Sequence, residues 1–299
     1  MHLFMKIVSL QLIYRKPMCI FYTQTELVSH LNAISNLQTT IGFVPTMGAL
    51  HNGHLSLMKE ALRHNDFVVV SIFVNPTQFN NAEDLAKYPR TLEEDVKKIE
   101  SLSNQIVVFA PSVDDIYKGN TVSQPFDFEG LENQMEGKFR PGHFDGVGTI
   151  VKRLFEIVMP THAYFGEKDF QQLQIIKKMV NKLQIPVTVI GCPILREANG
   201  LAMSSRNERL TPQLRQEASI LFETLQQAKE YFKTKSVQEI FAFVATTFEN
   251  HKDFELEYFE IADEATLLTC NHKDESKKYR AFIAVFVNKI RLIDTISLN

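Results

Sequence analysis

The sequence predicts an α/β protein: a Rossmann-like parallel sheet with helices on both faces, plus a smaller C-terminal α+β domain. Three observations carry that prediction. Short continuous apolar runs of strand length, such as Phe67–Val74, read as strands buried on both faces. Segments of helical periodicity 10–15 residues long alternate with them, the pattern of βαβ units. After Leu195 the order changes to helices followed by strands, which reads as a separate unit. We place the boundary there, with residues 1–194 as the larger domain and 195–299 as a lid.

In chain order, Thr25–Leu37 reads as a helix with apolar positions at Leu27, Val28, Leu31 and Ile34. The strand Ile41–Val44 runs into Pro45–His54, Pro-Thr-Met-Gly-Ala-Leu-His-Asn-Gly-His, and a helix continues to about His64. Phe67–Val74 ends in the polar loop Asn75–Asn81. Thr91–Leu102 is a helix with Glu93, Glu94 and Asp95 in its first turn, where the dipole favours acids. Ile106–Ala110 is a strand stopped by Pro111, and Lys138–Gly146 is a Gly-rich basic loop leading to a helix over Val147–Val158, with Asp145 near its N-cap. Ala163–Phe165 is a short strand followed by Gly166-Glu167-Lys168-Asp169, a helix from Gln171 and Gln172 to about Leu183, and a strand at Val187–Gly191. Beyond a polar stretch at Arg196–Arg209, helices are expected over about 212–233 and 236–249, then strands at Phe254–Ile261, Tyr279–Val287 and Ile290–Ile293.

The bulk properties narrow the function. The 299 residues are 44% apolar and 22% charged, an ordinary globular composition. A net charge of −3 argues against non-specific nucleic-acid binding, which needs a basic surface. Cys19, Cys192 and Cys270 are far apart with no C-x-x-C, so neither a disulfide framework nor a zinc knuckle is expected, and a reducing compartment fits. No stretch approaches the ~18 apolar residues of a membrane span. The apolar N-terminus is broken by Ser9 and Gln11 and lacks a cleavage site, so the expectation is a cytoplasmic protein. Residues 1–17 read as an extension, or as the product of a start placed upstream of Met18.

The chemistry concentrates at Pro45–His54. A strand that turns straight into a helix gathers unpaired N–H groups and the positive end of the helix dipole at one point, an anion site. Gly48 and Gly53 let a ligand approach the backbone. His51 and His54, three apart, share a face near the helix start, where an imidazole tends to be neutral yet can still donate one N–H to a phosphoryl oxygen. Two structural histidines are the plain alternative, but the Thr-Met-Gly turn and the intervening Gly favour a ligand. Zinc is disfavoured, because helical sites prefer i, i+4 spacing and a third ligand. Lys168 follows a strand end and reads as a phosphate contact rather than a solvated lysine; Asp169 suits a helix cap or a ribose hydroxyl. Gln78 and Gln172 could each hold hydroxyl or carboxylate groups. Met203-Ser204-Ser205-Arg206 suits an anion clamp or an interdomain linker.

PTMGALHNGH, VNPTQF, YPRTLEED, RPGHFDGV, FGEKDFQQ and REANGLAMSSRN occur in this order. Together they closely resemble the pantothenate synthetase (pantoate–β-alanine ligase) family, strongly over Ile41–Arg209 and more loosely in the tail. HNGH looks like the His-x-Gly-His signature of the nucleotidyltransferase superfamily. AMSSR looks like its Lys-Met-Ser-Lys-Ser loop, with Ala202 at the first lysine and Arg206 as the remaining cation. The resemblance implies attack of pantoate on the α-phosphorus of ATP, giving pantoyl adenylate and pyrophosphate, then attack by β-alanine to release pantothenate and AMP. By position, it implies an ATP site of Met47, Gly48, Ala49, Leu50, His51, Asn52, Gly53, His54, Gly166, Glu167, Lys168, Asp169, Leu195, Met203, Ser204, Ser205 and Arg206. His54, His51 and Lys168 would be catalytic, and Gln78 and Gln172 would hold pantoate, Gln78 also meeting β-alanine. Mg²⁺ would ride mainly on the phosphates, with Glu94 or Asp95 contributing an oxygen. A homodimer is the family expectation.

Two other functions are compatible with the same motif. A plain nucleotidyltransferase acting on another small acid or phosphate would use the same histidines, but the glutamines of VNPTQF and GEKDFQQ argue against it. A non-catalytic nucleotide- or RNA-binding module is disfavoured by the acidic net charge.

Overall fold

The computed structural model describes residues 18–36, 38–80, 82–249 and 251–299. The expected N-terminal extension at 1–17 and the last residue of the first expected helix, Leu37, lie outside the described residues.

Six strands form one parallel sheet: β1 (Ile20–Phe21), β2 (Ile41–Thr46), β3 (Phe67–Ile72), β4 (Ile106–Phe109), β5 (His162–Gly166) and β6 (Thr188–Cys192), in the order β1-β4-β3-β2-β5-β6. The helices are α1 (Gln24–Ile34), α2 (Asn52–His64), α3 (Ala82–Lys87), α4 (Leu92–Leu102), α5 (Val113–Tyr117), α6 (Met135–Phe139), α7 (His143–Val158) and α8 (Phe170–Lys182). The period-2 alternation of side chains sorts the strands' apolar residues onto two faces. Phe43, Val69, Val107 and Phe109 join Leu27 and Leu31 of α1 and the apolar faces of α7 and α8 in one core. Val44, Val68, Val70 and Val108 join Leu57, Met58 and Ala61 of α2 and Ile99 of α4 in the other. Both faces are therefore covered by helices, as the continuous apolar strands predict.

The strand order reverses direction at β2, since the chain moves outward through β3 and β4 on one side and through β5 and β6 on the other. Parallel α/β sheets bind ligands at such a switch point. The local sequence opens it further. β2 pairs with β3 along all six residues but with β5 only at Gly42–His162 and Phe43–Ala163. Pro45, which has no N–H to donate, lies just beyond that pairing, and the two strands end without a shared ladder.

The C-terminal part holds α9 (Pro212–Glu217), α10 (Ile220–Phe232), α11 (Val237–Glu249) and an antiparallel sheet of β7 (Phe254–Asp263), β8 (Tyr279–Val287) and β9 (Ile290–Ser297). These helices and strands close around a core of their own that includes Leu221, Leu225, Ile240, Val244, Ile283 and Val285. The long helix expected over about 212–233 is interrupted at Ala218–Ser219, which carry no Gly or Pro to announce the break. The helix expected from Val147 starts at His143 instead, because the left-handed Gly142 (φ 77°) turns the chain into it. Asp145 thus lies inside the first turn, where its carboxylate accepts the Phe126 N–H at 2.9 Å.

Candidate active site

The Pro45–His54 motif leaves the carboxyl end of β2, turns, and starts α2. The turn uses two left-handed residues, Gly48 (φ 81°) and Ala49 (φ 49°). That conformation is strained for alanine and persists only where neighbours fix it. Asp95 of α4 does so: its carboxylate accepts the N–H of Ala49 at 2.9 Å and of Leu50 at 2.7 Å, with the Thr91 hydroxyl at 3.2 Å. One turn along α4, the Lys98 ammonium donates to the Leu50 carbonyl at 2.7 Å. Asp95 is wholly buried with both oxygens engaged by the loop, which favours a turn-clamping role for it over the expected contact with Mg²⁺. Glu94, its neighbour, is exposed on α4.

At the start of α2 the two histidines cap the helix reciprocally. His51 Nδ1 accepts the Gly53 N–H at 3.1 Å, and His54 Nδ1 accepts the His51 N–H at 3.3 Å, with ring centroids 4.0 Å apart. A nitrogen that accepts cannot carry the proton, so in the neutral ring the proton sits on Nε2. Neutrality is enforced electrostatically. Burial, followed by the charges of Lys168 and Lys98, lowers the His51 pKa to about 4. Burial, then the His51 ring and the same two lysines, holds His54 well below its ordinary value. Each ring is therefore a fixed Nε2–H donor at neutral pH.

A cavity of about 240 Å³ at the switch point is lined by Met47, His51, Gly53, His54, Gln78, Gly166, Lys168, Asp169, Gln172, Leu195 and Met203 from the expected set. A second cleft of about 610 Å³, between α6 and the starts of α7 and α8 on one side and β7–β9 on the other, shares Lys168, Asp169 and Gln172 with it and adds Ser204 and Arg206. Alone, the smaller cavity falls below the ~300 Å³ of ordinary ligand pockets; joined to the cleft it has ample room for a nucleotide and an acid. The remaining expected residues do not line either space. Gly48, Ala49 and Leu50 form the clamped turn, Asn52 is the exposed first residue of α2, and Ser205 begins the turn after Ser204. Glu167 faces the C-terminal part, 3.5 Å from Arg280.

The neighbouring glutamines of FGEKDFQQ have separate uses. Gln171 is 3% exposed, accepts the Glu136 N–H at 2.9 Å and donates to the Leu131 and Gln134 carbonyls at 2.8 Å each, while Gln172 lines both cavities. Gln78 is held by a residue the sequence did not single out. Asn75, 1% exposed, donates to Gln78 Oε1 at 3.1 Å and to the Gly146 carbonyl at 3.1 Å, and accepts from Tyr117 Oη at 2.6 Å. The only signal for it was its place at the strand's carboxyl end.

The Met203–Arg206 stretch is built, not a bare linker. Met203 N–H donates to the Leu195 carbonyl at 3.0 Å, and Arg196 pairs with Ala202 in a bridge. The Arg196 guanidinium forks onto Asp294 at 2.5 and 3.0 Å and lies 3.6 Å from the centroid of the Phe222 ring. Asn207 ties the hairpin to Glu197 at 2.7 Å and to the Ala202 carbonyl at 3.1 Å.

Neutral donors beside a lysine, placed where parallel α/β sheets take ligands, suit nucleotidyl transfer. Comparison with known proteins gives the particular member. The family described as pantoate-beta-alanine ligase matches residues 19–297. The pantothenate synthetase of Flavobacterium psychrophilum is 66% identical over 281 residues, covering 94% of this chain and 100% of the relative. That of Christiangramia forsetii is 53% identical over 282 residues, with 94% and 100% covered. Among solved structures, pantothenate synthetase from Thermus thermophilus matches with a TM-score of 0.86 at 39% identity, covering 94% of this chain and 99% of that one. Pantoate-beta-alanine ligase from Francisella tularensis, complexed with beta-gamma ATP and beta-alanine, matches with a TM-score of 0.73 at 37% identity, covering 94% and 98%. The chain belongs to the pantoate–β-alanine ligase family and is a carbon–nitrogen ligase of pantothenate biosynthesis.

Proposed function

We propose that the cavity joins pantoate to β-alanine in two steps, with ATP supplying the activation. The observation that carries the reading is the reciprocal histidine cap, which fixes two Nε2–H donors beside Lys168 in a cavity also lined by both glutamines. Gln78 and Gln172 hold the pantoate hydroxyls and carboxylate by hydrogen bonds. The carboxylate attacks the α-phosphorus of ATP, the bond to the bridging oxygen breaks, and pyrophosphate leaves. His51, His54 and Lys168 stabilise the charge that develops on the phosphoryl and leaving oxygens. A pair held neutral by burial and nearby lysines suits donation of hydrogen bonds, not transfer of a second proton. The acyl carbon of the adenylate then takes the amine of β-alanine, and AMP leaves. Ser204 and Arg206, on the hairpin from the C-terminal part, close over the phosphates and exclude water from the adenylate. This requires the two parts to move about a boundary near Ile194.

Mg²⁺ enters this scheme as the partner of the nucleotide. Among the described residues no group of three or more His, Cys, Asp or Glu side chains is assembled for a metal. Mg²⁺ commonly keeps its waters and rides on substrate phosphates. The same reading takes a homodimer as the assembly, checked by sedimentation velocity, and the cytoplasm as the compartment. No helix among the described residues is long and apolar enough to cross a membrane.

The experiment is direct. Incubation with ATP, Mg²⁺ and pantoate should release AMP only when β-alanine is added. Folded protein that releases none with both substrates present would end the proposal.

A further inference from the structure

Between the C-terminal sheet and Gln78 lies one short segment, the helix α6 together with the residues up to His143 that follow it. Glu136 in the first turn of α6 is mostly buried, its side chain 12% exposed, and receives four contacts from basic or hydroxyl groups. Arg291 of β9 forks onto it, with both nitrogens at 2.7 Å. Tyr258 of β7 donates its hydroxyl at 2.7 Å. Arg140, one helical turn further on, lies 3.7 Å away. Arg291 is itself seated by Glu257, at 2.8 and 2.5 Å, and the Phe139 ring stacks on Tyr258 at 5.3 Å. Burial pushes the Glu136 carboxyl up, but the hydrogen bonds and charge of Arg291, then Tyr258 and Arg140, outweigh it and hold the pKa below its ordinary value. An ionised, buried carboxylate thus docks α6 onto the C-terminal sheet.

The same segment grips the backbone of Gln78. Arg140 donates to the Gln78 carbonyl at 3.3 Å, and the His143 Nδ1–H does so at 2.8 Å. His143 can only act as a neutral donor, since burial, followed by the Arg140 charge, lowers its pKa to about 4. There is no slack at this contact. A Cβ on Gly146 would lie 2.3 Å from the Thr77 carbonyl oxygen, so the first turn of α7 rests directly on the loop that carries Gln78.

We propose that Glu136 is a positioning residue for the acid substrate. It fastens α6 to Arg291 and Tyr258 and orients Arg140 against the Gln78 carbonyl, so the seating of the C-terminal sheet sets the placement of Gln78. The proposal rests on the reading that Gln78 holds pantoate. It makes a distinction that a general domain fastening does not: the acid site should respond to loss of Glu136 while the nucleotide site does not.

The test uses Glu136→Gln, Arg140→Met and the double variant, with Gln78→Ala as the benchmark. KM and kcat are measured with pantoate varied and then with ATP varied, alongside thermal melts. Glu136→Gln and Arg140→Met should each raise the KM for pantoate about tenfold, the scale of one charged hydrogen bond, and leave the KM for ATP within about twofold. Because the two act in series, the double variant should be no worse than the worse single one. Equal changes in both KM values, or losses that multiply in the double variant, overturn the proposal. Should Glu136→Gln fail to fold, Tyr258→Phe removes one hydrogen bond and keeps the Arg291 fork. It should raise the pantoate KM alone by about threefold, a neutral-donor-sized effect, and an unchanged pantoate KM counts against the proposal. If Gln78→Ala leaves pantoate binding intact, the assignment of Gln78 is what fails; if only that variant weakens it, the relay through Glu136 is what fails.

Discussion

Replacing Asp95 by asparagine separates two accounts of how α4 serves the nucleotide. In the structure the carboxylate satisfies two backbone donors of a strained turn, the N–H groups of Ala49 and Leu50, from a fully buried position. Asparagine keeps the shape but offers one acceptor and one N–H₂, so one of those donors meets another donor. The loss of a charge-assisted hydrogen bond is worth about 1.5–3 kcal/mol, and a buried unsatisfied donor costs about 1–3 kcal/mol more. If about 2–4 kcal/mol of that reaches the transition state, kcat/KM for ATP falls about 30- to 1,000-fold. The assay is AMP release at saturating pantoate and β-alanine, with ATP varied, at two concentrations of Mg²⁺. A turn-clamping role predicts that excess Mg²⁺ restores nothing. Recovery of activity at high Mg²⁺ would make Asp95 a metal ligand after all, and an unchanged kcat/KM would remove the clamp from the mechanism.

Four further outcomes follow from the same geometry. His54→Ala should lower kcat about 10²- to 10³-fold, the range for one preorganised donor, as read in single-turnover formation of pyrophosphate. With His51 titrating at about 4 and His54 also lowered, kcat/KM should show no histidine inflection between pH 8 and 5, and a fall near pH 6.5 would contradict the neutral-donor assignment. Stability follows with a defined sign. Above pH 6.5 His143 is neutral both folded and unfolded, but below it the unfolded chain takes a proton that the folded site resists until about pH 4, so the unfolding free energy from urea titrations should drop as pH falls through that window, with about 3 kcal/mol from His143 at full effect and further loss of the same sign from His51 and His54. Gly146→Ala, whose methyl meets backbone and not a flexible side chain, should destabilise by about 1–3 kcal/mol and weaken pantoate binding, measured by melting and by pantoate KM.

What the sequence conveyed and what it hid have physical causes. Strands buried on both faces must be apolar throughout, so β2, β3 and β4 stand out as runs, and the motifs at their carboxyl ends fall at the switch point without further assumption. The histidine spacing told of a shared face, but not that each ring caps the helix through Nδ1, a tautomer choice made by two backbone N–H groups. Asp95 was hidden for a different reason. Three acids in a helix's first turn already have an explanation in the dipole, and nothing local distinguishes the one that reaches back 45 or 46 residues to a turn. Gln171 and Gln172 are likewise indistinguishable as neighbours until the helix's burial separates them. The stretch containing α5 and α6 gave no periodic signal because five-residue helices are held by caps and tertiary contacts rather than by an amphipathic face, as with Ser112 accepting the Asp115 N–H at 3.0 Å.

The charge arrangement explains why the motif uses imidazoles where a phosphate-binding loop could use a second lysine. Lys168 already stands in the cavity and Lys98 behind the turn, and both depress the histidines. A further fixed cation there would bind the substrate triphosphate and the departing pyrophosphate almost equally well, which lowers KM and slows release without favouring the transition state. A neutral Nε2–H at the helix start interacts most strongly as charge gathers on the oxygen being released, and it holds little once that oxygen belongs to a free, hydrated product. In the proposed mechanism the site thus places its permanent charge where ATP is held and its neutral donors where the bond breaks, and burial of the histidine pair keeps the two functions apart.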